Sequence, residues 1–352
     1  MERKLKKIVL LLLIPILIFS LTACSRNYST EEIRETIAKA LYEDYGEEFV
    51  VDRIGIRRAN KIKFYQARIY PKSIIGTPKE GDKYYYGKAS IDILSYGKLS
   101  AVADNYGVIK MNEEIEKYLM PQIKKLFGER VLLKTDVKYK EKEESGYFTQ
   151  YLEHNLKHKL KQVRLDPENK RLELELYVYI FDRIDSDEEK EERRKQIFDY
   201  VQYLKREGLF KYLSLIIEIV DEKALTPSYR KYKRELELSE KETVKINGIK
   251  VELPLKELIK EVSEVLGKEL KEQNEQELIK NMSNIRQDEL GINGIEGYLE
   301  QYFIRIISID MMKVQPYGEY REEKEKGRIK EHRYLKREDI KFGKENPKYI
   351  FR

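Results

Sequence analysis

The chain has 352 residues with 38% charged side chains, 27 tyrosines and no tryptophan, which favours two or three small cores with wide polar surfaces over one oversized core. Its single cysteine, Cys24, rules out any internal disulfide. The formal charge of +6 is concentrated at the end: residues 321–352 hold twelve Lys/Arg against seven Asp/Glu, leaving the bulk near neutral.

Arg3, Lys4, Lys6 and Lys7 precede an uncharged run over 8–20, shorter than the roughly 18–20 residues a spanning helix needs. That pattern is a secretion signal. It ends in Leu21-Thr22-Ala23-Cys24, which resembles the lipobox of bacterial lipoproteins. The resemblance covers only these first residues. It implies lipid on the Cys24 sulfur, cleavage before it, and a mature protein tethered to the cell membrane on the extracytoplasmic face. A free thiol in an oxidising compartment would thereby be capped, and two or three acyl chains hold a protein stably to a bilayer. Ser25 in place of an aspartate would favour outer-membrane sorting in a cell that has an outer membrane. Nucleic acid is then excluded as a partner, and an envelope protein or polymer is the expected one.

Past the leader, residues 30–45 place Ile33, Ile37, Ala40, Leu41 and Tyr45 on one helical face between a Ser29 or Thr30 cap and Gly46. Residues 48–56 and 61–70 read as strands joined at 58–60, and 83–94 and 99–104 as further strands bounded by glycines. The grammar then restarts. Asn112-Glu113-Glu114-Ile115 precedes Gly128 as Thr30-Glu31-Glu32-Ile33 precedes Gly46, an offset of 82 residues, with Pro121 expected to bend or divide the second helix. A third helix over 187–207 leads into an apolar strand over 212–220. Alternation around Asn247-Gly248 predicts a hairpin, and 254–270 a helix burying Val262, Val265 and Leu266. Residues 281–297 read as a loop before a strand over 302–309. The expected fold class is α+β, with amphipathic helices packed on antiparallel sheets in modules of about 80 residues. The expected boundaries are a signal peptide over 1–23, modules over 24–108 and 109–185, a C-terminal region over 186–315, and a basic, poorly ordered tail over 316–352.

Candidate chemistry is sparse. His154 and His158 stand four apart, the spacing of a metal pair on one helix face, but Asn155 occupies the position where a zinc peptidase needs its general base. With a carboxylate they would make a bare metal site, and paired carboxylates are the other route to an envelope hydrolase. Asp182, Asp185 and Asp187 lack the glycine and glutamate of a calcium loop and read as the approach to a helix N-terminus. No phosphate loop, nucleophile elbow or dinucleotide fingerprint occurs, and no cofactor is expected. Tyr84 and Tyr86, on one side of a predicted strand, are the candidate partner-binding residues, since tyrosine gives large contact area at low entropic cost. A non-catalytic binding or assembly module is the expectation that follows.

Overall fold

The computed structural model describes residues 28–59, 62–94, 97–144, 146–149, 155–232, 244–246, 249–251, 255–286, 299–314, 330–332, 334–343 and 349–351. The leader with Cys24, and His154, lie outside the described residues. Among those described, no helix is long and apolar enough to cross a membrane. The chain divides into two compact units. One holds the described residues up to Ile75 together with Tyr85–Tyr106, and the other Gly76–Tyr84 with those from Gly107 onward.

In the first unit, helix α1 (Thr30–Tyr45) begins at Ser29, whose side chain forms a reciprocal capping box with Glu32. It ends at Gly46, held at φ 68°, a left-handed geometry that a Cβ resists. Ile33, Ile37 and Leu41, all at 0% exposure, form its buried stripe. The stripe covers an antiparallel sheet ordered β1 (Phe49–Ala59), β2 (Ile62–Pro71), β3 (Gly87–Asp92) and β4 (Ala103–Asp104). Strand periodicity sends Val51, Ala67, Ile69, Ala89 and Ile91 into that core, and Asp52, Arg68, Lys88 and Ser90 to the opposite face.

The second unit holds the segment Gly76–Tyr84 and then α2 (Tyr106–Phe127), whose first residue counts with the first unit, β5 (Val131–Glu143), β6 (Gly146–Thr149), α3 (Leu156–Leu165), β7 (Lys170–Phe181), α4 (Asp187–Arg206) and β8 (Leu213–Val220). A small hairpin follows, β9 (Val244–Ile246) against β10 (Ile249–Val251), as the Asn-Gly signal predicts. Helices α5 (Leu255–Glu272) and α6 (Glu275–Ser283), strand β11 (Glu300–Ser308), helix α7 (Ile309–Val314) and strands β12 (Lys330–His332) and β13 (Tyr349–Phe351) complete it. Its seven-stranded sheet runs β12-β13-β11-β8-β7-β5-β6. One face carries the main core, in which Ile115, Leu119 and Ile123 of α2 and Ile197, Val201 and Leu204 of α4 meet alternate residues of β5, β7 and β8. A second core gathers Val262 and Leu266 of α5 and Leu278 and Met282 of α6 on Phe181 and Val220.

The α+β class holds, and four finer expectations change. First, β7 and β8 are parallel, with α4 in the connection between them, so the sheet is mixed and residue 185 is no module boundary. Second, the helix-then-strands order recurs, but the first sheet is a simple meander while the second interleaves β5 between β6 and β7. Third, Pro121 does not divide α2, which runs unbroken through this exposed residue. Fourth, the stretch expected to be a tail supplies Leu335 and Ile340, at 4% and 1% exposure, to the main core. Two smaller departures are that Val265 is 43% exposed and that α6 occupies part of the predicted loop.

Candidate functional site

On the outer face of the first sheet, Asp52 of β1 lies directly opposite Arg68 of β2. The Arg68 Nε donates to Asp52 Oδ1 at 2.7 Å and its NH2 group to Oδ2, a bidentate fork. The carboxylate holds the guanidinium above its usual, already high pKa, so the cation is permanent. Immediately beyond Asp52 the strand bulges, with Arg53 at φ 49° and the register shifting before Gly55. Tyr70, two residues after Arg68 and so on the same face, stacks with Tyr86 at 4.7 Å between ring centroids and 27° between planes. The Arg68 guanidinium sits 4.8 Å from the Tyr86 centroid and 5.5 Å from that of Tyr70. Carboxylate, guanidinium and two rings thus form one ordered platform. It can offer a partner aromatic area and a fixed, carboxylate-paired guanidinium with little loss of side-chain entropy, because the rotamers are already constrained.

A second cluster lies inside the second unit. Asp82 accepts from the Tyr84 amide at 2.9 Å and is 1% exposed. The Tyr84 hydroxyl is 2.7 Å from Glu116 Oε1 and 2.8 Å from the Thr135 carbonyl, and it accepts from the Thr135 amide at 3.1 Å. One turn before Glu116 on α2, Glu113 pairs with Lys79 at 2.7 Å. Asn112 accepts from the Val137 amide at 2.8 Å, tying α2 to β5. The Glu116 carboxyl is tucked beneath Tyr84 and Thr135, and loss of hydration raises its pKa to about 7, against the smaller opposing effect of the Tyr84 hydroxyl. The same burial, and the nearby Glu116, push the Tyr84 phenol well above its ordinary range. Near neutral pH this cluster holds a proton on a carboxyl, and every group around it is engaged in packing the segment 76–84 onto α2 and β5.

The residues singled out from sequence fare unevenly. Tyr84 and Tyr86 do not share a strand face, because Lys83–Tyr85 is a 3-10 turn and β3 starts only at Gly87. Tyr84 is committed to Glu116 and Thr135, while Tyr86 joins the Arg68 platform. His158 is exposed on α3, which begins at Leu156 with Asn155 as its cap, and His154 lies outside the described residues. Among the described residues, no group of three His, Cys, Asp or Glu is placed to hold a metal. Asp187 opens α4 behind the Ser186 cap, Asp182 pairs with Arg193 and Asp185 with Arg183, in keeping with a helix approach.

Comparisons of the chain with protein-family models, curated proteins and solved structures each find no match. The site is therefore argued from its own chemistry. Asp52 and Arg68 were not singled out from the sequence, although a signal for them was present: a hairpin closing at 58–60 sets opposite charges near 52 and 68 across from each other. Glu116 carried no such signal, since its environment comes from a tyrosine 32 positions earlier.

Proposed function

We propose that the chain is an exported protein held at a membrane by lipid on Cys24, and that its first unit is a non-catalytic binding module for an envelope protein or polymer. The observation that carries the binding assignment is the Arg68, Tyr70 and Tyr86 platform. Arginine and tyrosine dominate binding energy at protein interfaces, and here they are pre-ordered by Asp52 and by ring stacking on a sheet face opposite the α1 core. The anchor rests on the basic start, the apolar run and the lipobox ending. The Glu116 cluster supports packing within the second unit and adds no weight to a hydrolase.

The test is cross-linking in intact cells of the source organism, followed by capture of the tagged full chain. Arg68→Ala and Tyr86→Ala should each reduce recovery of a stoichiometric partner by about tenfold or more, and His158→Ala should not. Equal recovery from all three, with the variants folded by circular dichroism, would reject the platform as the binding surface.

A further inference from the structure

Three features coincide at one end of the first unit. The β1–β2 hairpin stays paired out to Ala59 opposite Ile62, and β3 pairs with β2 from Ile69 back to Phe64. Near this end of the hairpin Ile56 and Ile62 are 49% and 51% exposed. Leu94, 49% exposed, follows Ile93, whose amide donates to the Lys63 carbonyl at 2.9 Å. The register that sets Phe64 opposite Asp92, continued by two residues, brings Leu94 beside Ile62 on one face. Lone exposed aliphatics are ordinary; here Ile62 and Leu94 are adjacent.

The same end is cationic. Arg57 and Arg58 are exposed, Lys63 lies opposite Arg58, and the carbonyl of the exposed Lys98 accepts from the Leu94 amide at 2.7 Å. Asp92 is the acid on the sheet there. Of the acids at the nearby start of α1, Glu31 pairs with Arg34 and Glu32 is held in the Ser29 capping box.

The third feature is the placement of Tyr28. The Tyr28 hydroxyl donates to the Gly97 carbonyl at 2.9 Å, and the Tyr65 hydroxyl donates to the Tyr28 carbonyl at 3.3 Å. Tyr28 is thereby pinned beside Gly97 and Tyr65. Cys24 stands only four residues earlier in the sequence, a reach of at most about 14 Å even when fully extended.

We propose that this end of the first unit rests on the anionic leaflet that receives the Cys24 lipid. Ile62 and Leu94, with Ile56 on the other side of the hairpin, enter the headgroup boundary, while Arg57, Arg58, Lys63 and Lys98 meet lipid phosphates. The proposal rests on the lipid anchor argued above. It adds an orientation: the short tether and the basic, apolar tip hold the same end of the unit against the bilayer, so the anchor acts as a fixed mount.

The experiment uses the full mature chain carrying Cys24→Ser, so that no lipid contributes. It is sedimented with vesicles of equal parts phosphatidylglycerol and phosphatidylcholine, and with phosphatidylcholine alone. Binding to the anionic vesicles should fall by about tenfold or more in Arg57→Ser/Arg58→Ser, and measurably in Ile62→Ser/Leu94→Ser. A second measurement guards against folding effects: an environment-sensitive dye on Ile62→Cys should shift to the blue on anionic vesicles, and one on Ser73→Cys, in the 3-10 turn just past the other end of β2, should not. No binding by the parent chain, unchanged binding by both double variants, or equal response of the two dyes would overturn the proposal. Binding through residues 321–352 would appear as the second of these. Failure of the anchor itself is read separately, from the mass of the N-terminal peptide in native cells, and the vesicle result does not depend on it.

Discussion

The Glu116 carboxyl makes the second unit's stability depend on pH in a direction opposite to that of a salt-bridged acid. Burial raises its pKa from the ordinary 4.5 to about 7. Below pH 4.5 the folded and unfolded chains both carry the proton, and the group is neutral in its effect. As pH rises from 4.5 towards 7 the unfolded chain ionises first, so stability falls; above 7 both are ionised and the full cost of the buried charge remains. The shift of about 2.5 units corresponds to about 3 kcal/mol. Glu116→Gln keeps an acceptor for the Tyr84 hydroxyl and removes the titration. The variant should therefore gain about 3 kcal/mol relative to the parent between pH 4.5 and pH 8. Urea unfolding of the full mature chain at both pH values gives the double difference. Hydrogen exchange of peptides spanning 76–84 and 131–137 assigns it to the second unit. Parallel pH profiles for parent and variant would refute the argument that this carboxyl is desolvated.

Further perturbations test separate links. Tyr84→Phe removes the hydroxyl that serves Glu116 and both backbone groups of Thr135, and should cost roughly 1–3 kcal/mol in urea unfolding while raising the Glu116 pKa further, readable by carboxyl NMR. Asn112→Ala leaves the Val137 amide without its side-chain acceptor and should cost about 1–3 kcal/mol, with faster exchange at that amide. Ile37→Ala opens a cavity under the first sheet and should destabilise the first unit by about 2–5 kcal/mol, visible in exchange of β2 peptides. Ser186→Ala removes the α4 cap for about 1 kcal/mol by thermal or urea unfolding.

Elements with local causes were legible in the sequence. Helix α1 carries its cap at Ser29, its partner Glu32, its apolar stripe and its Gly46 stop within 18 residues, and α4 likewise announces itself at Ser186. The β1–β2 and β9–β10 hairpins follow from alternation around short connections. What escaped is non-local. Strand direction in the large sheet depends on where α4 packs, which no residue of β7 or β8 specifies alone. Leu335 and Ile340 stand isolated among charges, too few to form a period, and their burial depends on the core they reach. Tyr84 was misplaced because glycines and tyrosines over 81–87 read equally well as strand and as turn, and the bonds from its hydroxyl to Glu116 and Thr135 are long-range. At the platform the charges were visible and their pairing was not: Asp52 and Arg68 meet only through the hairpin register.

The most direct measurement of the account is the mass of the N-terminal peptide of the protein isolated from the membranes of its own cells. The account predicts a chain beginning at Cys24 with a diacylglyceryl group on the sulfur. An N-terminus elsewhere, or an unmodified Cys24 thiol, would contradict the lipid tether and with it the membrane-seated orientation of the first unit.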